Sequence, residues 1–291
     1  MEWELKLSPE MLRRLQLLEL ELLNEVKRIC EKHRIHYTIV AGTLLGAVRH
    51  GGFIPWDDDA DIGMLREDYE RFREVCIREL DADRYYFQDH RATAGYRWGY
   101  GKLRMKDTLF RQIGRDHMPY GQGVFIDIFP LDAVPDGQLG RTVVNFECFL
   151  VRKVLWSKAG AVAEKAAWKR ILYRFLNKIP EKTALSWYER LIRQAGKRKS
   201  EWTRILMFPT PNKRYGYPVR WYKGEKEISF EGIVFPGVAD ADEYLTFKFG
   251  DYMEFPPPDK RKYHPVSAVK LIEPKLPAGA GAEKKESGKT A

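Results

Sequence analysis

The sequence predicts an α+β fold, in which a mixed β-sheet core is flanked by helices and interrupted by a basic helical insertion. Three observations lead there. Strand-like patterns at 37–41, 59–65, 84–88, 96–105 and 124–131 share the first half of the chain with helical periodicity. Residues 141–200 are helical in pattern and rich in Lys and Arg. From Phe208 the chain returns to short strands and turns rich in Gly, Pro and aromatics, ending near Leu271.

Each element has a local reason. Ser8-Pro9 followed by Leu12, Leu15, Leu18, Leu22, Val26 and Ile29 is an N-capped amphipathic helix running to about Lys32. YTIVA (37–41) is a buried strand, and Leu44 to Val48 make one or two helical turns closed by Gly51 and Gly52. A strand over 59–65 leads into a helix from about Glu67 to Leu80, with Tyr69, Phe72, Val75, Cys76 and Leu80 facing inward. YRWGYGKLR within 96–105 alternates with period two, and VFIDIFPL (124–131) is an apolar strand with Asp127 at its centre. The helical stretch breaks at Ile179-Pro180. The organisation expected is an N-terminal helix on the core (1–36), a catalytic core (37–135), a basic insert (136–204), a segment completing the active site (205–272) and a disordered tail (273–291).

Composition narrows the class. With 291 residues, 44% of them hydrophobic, the chain can bury a substantial core. No run of 18 or more apolar residues predicts a membrane-spanning helix, and MEWELKLSPE lacks the apolar region of a secretory signal. Three scattered cysteines, without a CxxC pair, argue against a disulfide framework or structural zinc and for a cytoplasmic protein. Between Val151 and Ser200 there are 14 Lys/Arg and 3 Glu, a local +11 against +9 for the whole chain. The remainder is therefore near −2, and the insert at 141–200 is the place for peripheral contact with an anionic inner membrane face.

The densest chemistry lies in FIPWDDDADIGM (53–64), where four aspartates occupy five positions. On a strand, Asp59 and Asp61 would share a face, about 6.6–6.8 Å apart, and oxygen-only ligation suits Mg²⁺ or Mn²⁺. Asp127, a lone charge in an apolar strand, needs a cation, a base or a hydrogen-bond donor and is the natural third ligand. A calcium loop fails at its sixth position, Ile62, and its twelfth, Asp68. Upstream, Gly42-Thr43 follows a strand and opens a helical turn, a setting in which backbone N–H groups approach phosphate. This order of elements is a phosphoryl- or nucleotidyl-transfer layout.

AGTLLGAVRHGGFIPWDDDADIGM, VFIDIFPLD and FGDYMEFPPPDKRKYHP resemble the LicD family of phosphocholine transferases, related to fukutin-type proteins within the nucleotidyltransferase superfamily. The likeness spans roughly 37–131 and 205–266. It implies a nucleotidyltransferase-like sheet, Asp59 and Asp61 as the metal pair with Asp127 as third carboxylate, and Gly42-Thr43 as the phosphate-contacting turn. It also implies transfer of a phosphocholine-like group from a CDP-choline-like donor to a glycan or lipid-linked glycan acceptor.

Further candidates for substrate binding are Lys102 and Arg104, alternating on one strand, Arg49 with His50 after the short helix, and Asp251 and His264 in the late motif. Trp56, Tyr252 and Phe255 are available to cage a quaternary ammonium. A nucleotide-sugar glycosyltransferase shares the DxD pair and stands as the alternative. A non-catalytic binding protein has no reason to keep three costly carboxylates, and no RNA-binding motif accompanies the basic segment, so no nucleic-acid partner is expected.

Overall fold

The computed structural model describes residues 4–210, 213–261 and 263–281. Helix α1 (Pro9–His33) starts where the Ser8 hydroxyl accepts from the Met11 N–H at 3.2 Å and ends on Arg34 in a left-handed conformation. A two-residue strand β1 (Thr38–Ile39) leads directly into α2 (Ala41–His50), which Gly51 closes at φ 67°. Strand β2 (Asp61–Leu65) and helix α3 (Arg66–Glu79) follow, and α3 buries Tyr69, Phe72, Val75 and Cys76 as its periodicity requires. Next come β3 (Tyr85–Gln88), β4 (Gly101–Met105), β5 (Leu109–Gln112) and the long β6 (Phe125–Val134). The insertion is α4 (Gln138–Ala163), α5 (Ala167–Leu176) and α6 (Glu181–Gly196), the last capped at Pro180 where the helical pattern breaks. The chain then makes β7 (Trp202–Arg204), β8 (Tyr217–Pro218), α7 (Arg220–Lys223), β9 (Glu225–Phe230), β10 (Ile233–Val238), α8 (Ala241–Phe249) and β11 (Val266–Lys270).

The main sheet runs β3-β4-β6-β2-β1-β10-β9, with β7 on the far end of β6 and β8 on β7. It is mixed: β2 and β6 are parallel, as are β1 and β10, while the other pairs are antiparallel. This is the expected α+β, nucleotidyltransferase-like architecture. Helix α1 packs its leucine face on the sheet, and a second apolar cluster joins α4 and α6 to Val134, Leu206 and Met207. A buried ion pair ties that insertion to the core. Arg66 at the start of α3 grips Asp132 of β6 in a two-pronged contact (2.8 and 2.5 Å) and reaches the Tyr188 hydroxyl of α6 at 3.3 Å.

Three expectations change. Asp59 precedes β2 rather than lying on it, so its position depends on a loop and not on strand alternation. Residues 96–100 are irregular although Tyr96, Trp98 and Tyr100 are buried, because strand pairing with β6 begins only at Gly101. The tail expected from 273 is ordered through Gly281: Arg14 binds the Ile272 carbonyl, Glu21 accepts from the Lys275 N–H, and Arg13 holds the Gly281 carbonyl at 2.9 Å. Residues 282–291, the rest of that expected tail, lie outside the described residues. Among the described residues, no helix is long and apolar enough to cross a membrane.

Removing one partner of the Arg66–Asp132 pair strands a buried charge. Asp132→Ala should therefore cost about 3–5 kcal/mol in a denaturant melt. Adding Arg66→Met should recover part of that loss, and a strictly additive double variant would show the two side chains to be uncoupled.

Candidate active site

The site is built where the parallel strands β2 and β6 meet the start of α2. Register places Asp61 opposite Asp127, and Lys102 of β4 opposite Asp127 on its other side. The Asp61 N–H donates to the Thr43 hydroxyl at 2.7 Å, and the Asp127 N–H donates to the Ala60 carbonyl at 2.9 Å. Thr43 is buried, and its hydroxyl is the acceptor at the start of β2. Ala41 opens α2 at φ 51°, a strained setting for a residue with a Cβ, and together with Gly42 it faces the cavity. A Cβ on Gly42 would stand 2.7 Å from Asp57 Oδ2, so glycine is what leaves room for that carboxylate.

One carboxylate oxygen from each of Asp57, Asp58 and Asp59 falls within 4.8 Å of the others. Asp58 is almost wholly buried and spends both oxygens on His264: Oδ2 accepts the backbone N–H at 2.8 Å and Oδ1 lies 3.1 Å from the ring Nδ1. Burial opposes charge on His264, yet the hydrogen bond to Asp58, then the Asp59 and Asp58 charges, raise its pKa above the ordinary value. Burial, then the charges of Asp59 and Asp58, lift Asp57 to about 8. Asp61 is pushed well above the carboxylate range by burial and then by Asp59 and Asp127. Glu19 of α1, buried behind this loop, is raised well above its usual value by burial first and then by Asp59 and Asp58.

Lys102 is buried and ion-paired with Asp127, its Nζ 3.3 Å from the Phe125 ring centroid. Burial lowers its pKa to about 7 despite the opposing attraction of Asp127. Arg104, expected beside it at the substrate, turns instead into the core. There it donates to Gln88 Oε1 (2.6 Å) and the Gly123 carbonyl (2.5 Å), the partners that β3 and the approach to β6 supply.

A cavity of about 780 Å³ opens over the acidic loop. Of the residues anticipated from sequence, Gly42, Asp59, Arg49, Asp251 and His264 line it, whereas Asp61 lines a smaller adjoining cavity of about 220 Å³. Arg49 is committed to the carbonyls of Tyr252 (2.7 Å) and Glu254 (3.2 Å), which staples the late motif onto α2. The aromatic wall is present but partly covered, since Arg261 stacks on Trp56 at 4.0 Å and Arg49 on Phe255 at 4.8 Å. Sequence reading missed the cations Lys248, Lys260 and Arg261 on the cavity wall. The last two stand in the quoted motif FGDYMEFPPPDKRKYHP, but its spacing does not say which side chains turn inward.

Oxygen-only donors in close approach at Asp57, Asp58 and Asp59 fit a hard divalent cation, and the surrounding Lys and Arg side chains fit a diphosphate. The fold and this site define a phosphotransferase of the nucleotidyltransferase type. Residues 34–148 match the family described as LicD/FKTN/FKRP, nucleotidyltransferase domain. The chain is 28% identical over 272 residues to the lipopolysaccharide cholinephosphotransferase LicD of Haemophilus influenzae, covering 90% of this chain and 98% of that protein. Shorter matches reach the human ribitol 5-phosphate transferase FKRP (48% over 40 residues, 14% of this chain and 8% of that protein) and an uncharacterized Rickettsia typhi protein (47% over 55 residues, 19% and 18%).

The raised acids carry a sign that can be measured. A carboxylate whose folded pKa exceeds its unfolded one destabilises the fold progressively as pH rises between the two. In EDTA, stability should therefore fall from about pH 4 to about pH 8. Asp59→Asn should raise the melting temperature at pH 8, and a lowered one would mean that the loop charges are already compensated.

Proposed function

We propose that this protein transfers a phosphocholine-like group from a CDP-linked donor to a hydroxyl of a cell-surface glycan or a lipid-linked glycan precursor. The observation that carries this reading is the register that sets Asp61 opposite Asp127, with the charges of Asp59 and Asp127 both acting on Asp61, beside a cavity that Asp57, Asp58 and Asp59 line together with Lys and Arg side chains. Asp59, Asp61 and Asp127 would hold Mg²⁺ or Mn²⁺, which when bound offsets charge on the diphosphate oxygens. Arg261, Lys248 and Lys260 bind the nucleotide's phosphates, and the turn at Gly42 lets them approach the helix. Asp127 accepts the proton of the attacking hydroxyl as the new O–P bond forms, and the bond to CMP breaks with CMP as leaving group. The cytosine-bearing donor finds its walls in Trp56, Tyr252 and Phe255.

The basic insertion supports work at an anionic membrane face. Helix α5 buries only Tyr173, while Trp168, Ile171 and Phe175 are each about two-thirds exposed along one stripe, flanked by Lys169, Arg170 and Arg174. Aromatic and aliphatic anchors among Lys and Arg are the composition of an interfacial helix.

With CDP-choline, Mg²⁺ and water standing in for the acceptor hydroxyl, the protein should slowly release CMP and phosphocholine, EDTA should abolish the release, and Asp127→Asn should lower it by about 10²-fold or more. CMP release undiminished in Asp127→Asn would sink the assignment of the base. In co-sedimentation, anionic vesicles should retain the protein and neutral ones should not, with Trp168→Ser/Phe175→Ser reducing retention at least five-fold. Equal binding to both vesicle types would refute the electrostatic contact.

A further inference from the structure

A second cavity, of about 390 Å³, lies between the insertion and the core. Four cations line it: Arg97, Arg115, Arg152 and Lys153. Glu164 is the single carboxylate among its described lining residues, and it faces Lys169 at 3.7 Å. Such an excess of positive charge in a partly enclosed space costs free energy unless an anion enters.

The guanidiniums are not simply satisfied by the protein. Arg97 is 4% exposed, and two of its nitrogens donate to Asn177 Oδ1 (3.0 Å) and the Val154 carbonyl (3.1 Å). Its Nε is shut from solvent with no hydrogen-bond partner, the nearest carboxylate being Glu181 at 3.9 Å. Arg152 likewise has a buried Nη1 without a partner, and among the described residues it forms no ion pair. Arg115 lies on the Trp98 ring at 4.7 Å and, among the described residues, has no carboxylate within hydrogen-bonding distance. A guanidinium placed over an aromatic ring still has edge N–H groups to offer phosphate oxygens in a two-pronged contact.

The cavity also points at the chemistry. Phe208 belongs both to its wall and to the wall of the catalytic cavity. Tyr100, another of its lining residues, lies 5.5 Å from the Nζ of Lys102, the partner of Asp127. One aromatic layer therefore separates the cations from the proton-accepting carboxylate. We propose that this cavity is an anion subsite that holds a phosphate or diphosphate borne by the acceptor, so that the acceptor's hydroxyl end reaches Asp127 past Tyr100 and Phe208. The assignment rests on the transferase reading above for the word acceptor, but the anion site itself does not. Tilted Trp98 and Trp156, with centroids 5.4 Å apart, give the same cavity an apolar side on which a sugar ring or an isoprenoid chain attached to the phosphate would lie.

The test is calorimetric titration of the whole protein with inorganic pyrophosphate in EDTA, where the catalytic carboxylates carry no cation and repel the ligand. Binding is expected, with Arg115→Gln/Arg152→Gln weakening it at least ten-fold and Arg115→Lys/Arg152→Lys recovering part of the loss. Neither guanidinium makes a hydrogen bond among the described residues, so both double variants should melt within a few degrees of wild type. Should the glutamine pair fail to fold, the lysine pair and each single glutamine variant give the same reading. Geranyl diphosphate binding ten-fold more tightly than pyrophosphate would assign the site to an isoprenoid-linked acceptor, and equal affinities to a soluble phosphate-bearing one. Absence of pyrophosphate binding at 1 mM, or a dissociation constant unmoved by both glutamine substitutions, would overturn the subsite. Lack of any Mg²⁺-dependent binding of CDP-choline by the wild type would instead defeat the transferase reading and leave pyrophosphate binding intact.

Discussion

The pairing of β2 with β6 is the constraint from which the rest follows. These strands are parallel and lie far apart in sequence, and their register sets Asp61 against Asp127. Side chains alternate between faces along a strand, so a slip of one residue would send either carboxylate to the opposite face and dissolve the site. The apolar neighbours on both strands, Ile62, Met64, Ile126 and Ile128, are fully or almost fully buried and hold that register. Function and stability thus draw on one alignment: the core fixes the strands, and the strands fix the charges.

Charge of one sign must then be tolerated while the protein waits for its ligands. Two devices do this from opposite sides of the acidic loop. Lys102, driven into the sheet on β4, faces Asp127, and His264, carried in by the late motif, faces Asp58. Arg49 and Glu231 fasten the surrounding segments. The Glu231 carboxylate takes both Arg13 and the Phe53 N–H, which anchors the approach to the acidic loop from behind. The outcome is a cradle in which burial and the neighbouring carboxylates raise the pKa values of Asp57, Asp59 and Asp61.

Much of this was legible in sequence because it is local. Ser8-Pro9 announces a helix start, Gly51 a helix end and Pro180 a break, since each acts through its own backbone dihedrals or its own hydroxyl. Periodicity located the buried faces of α1 and α3 for the same reason. What escaped depends on distant partners. Asp59 looked like a strand residue, but β2 begins only where Asp61 meets β6 and the Thr43 hydroxyl. Arg104 looked like a phosphate ligand, yet Gln88 and Gly123 claim it in the core. Asp58 was one of four equivalent aspartates until His264, which no local pattern connects to it, singled it out.

That last contact has a consequence for the making of the protein. Asp58 and His264 are 206 residues apart. At about 5–20 residues per second, a ribosome needs roughly 10–40 s to deliver the histidine after the aspartate. Throughout that interval the acidic loop is in the cell without the segment that neutralises and roofs it. Until then the cavity over the acidic loop lacks the wall that Tyr263 and His264 supply. That wall is complete only when synthesis has passed Pro265.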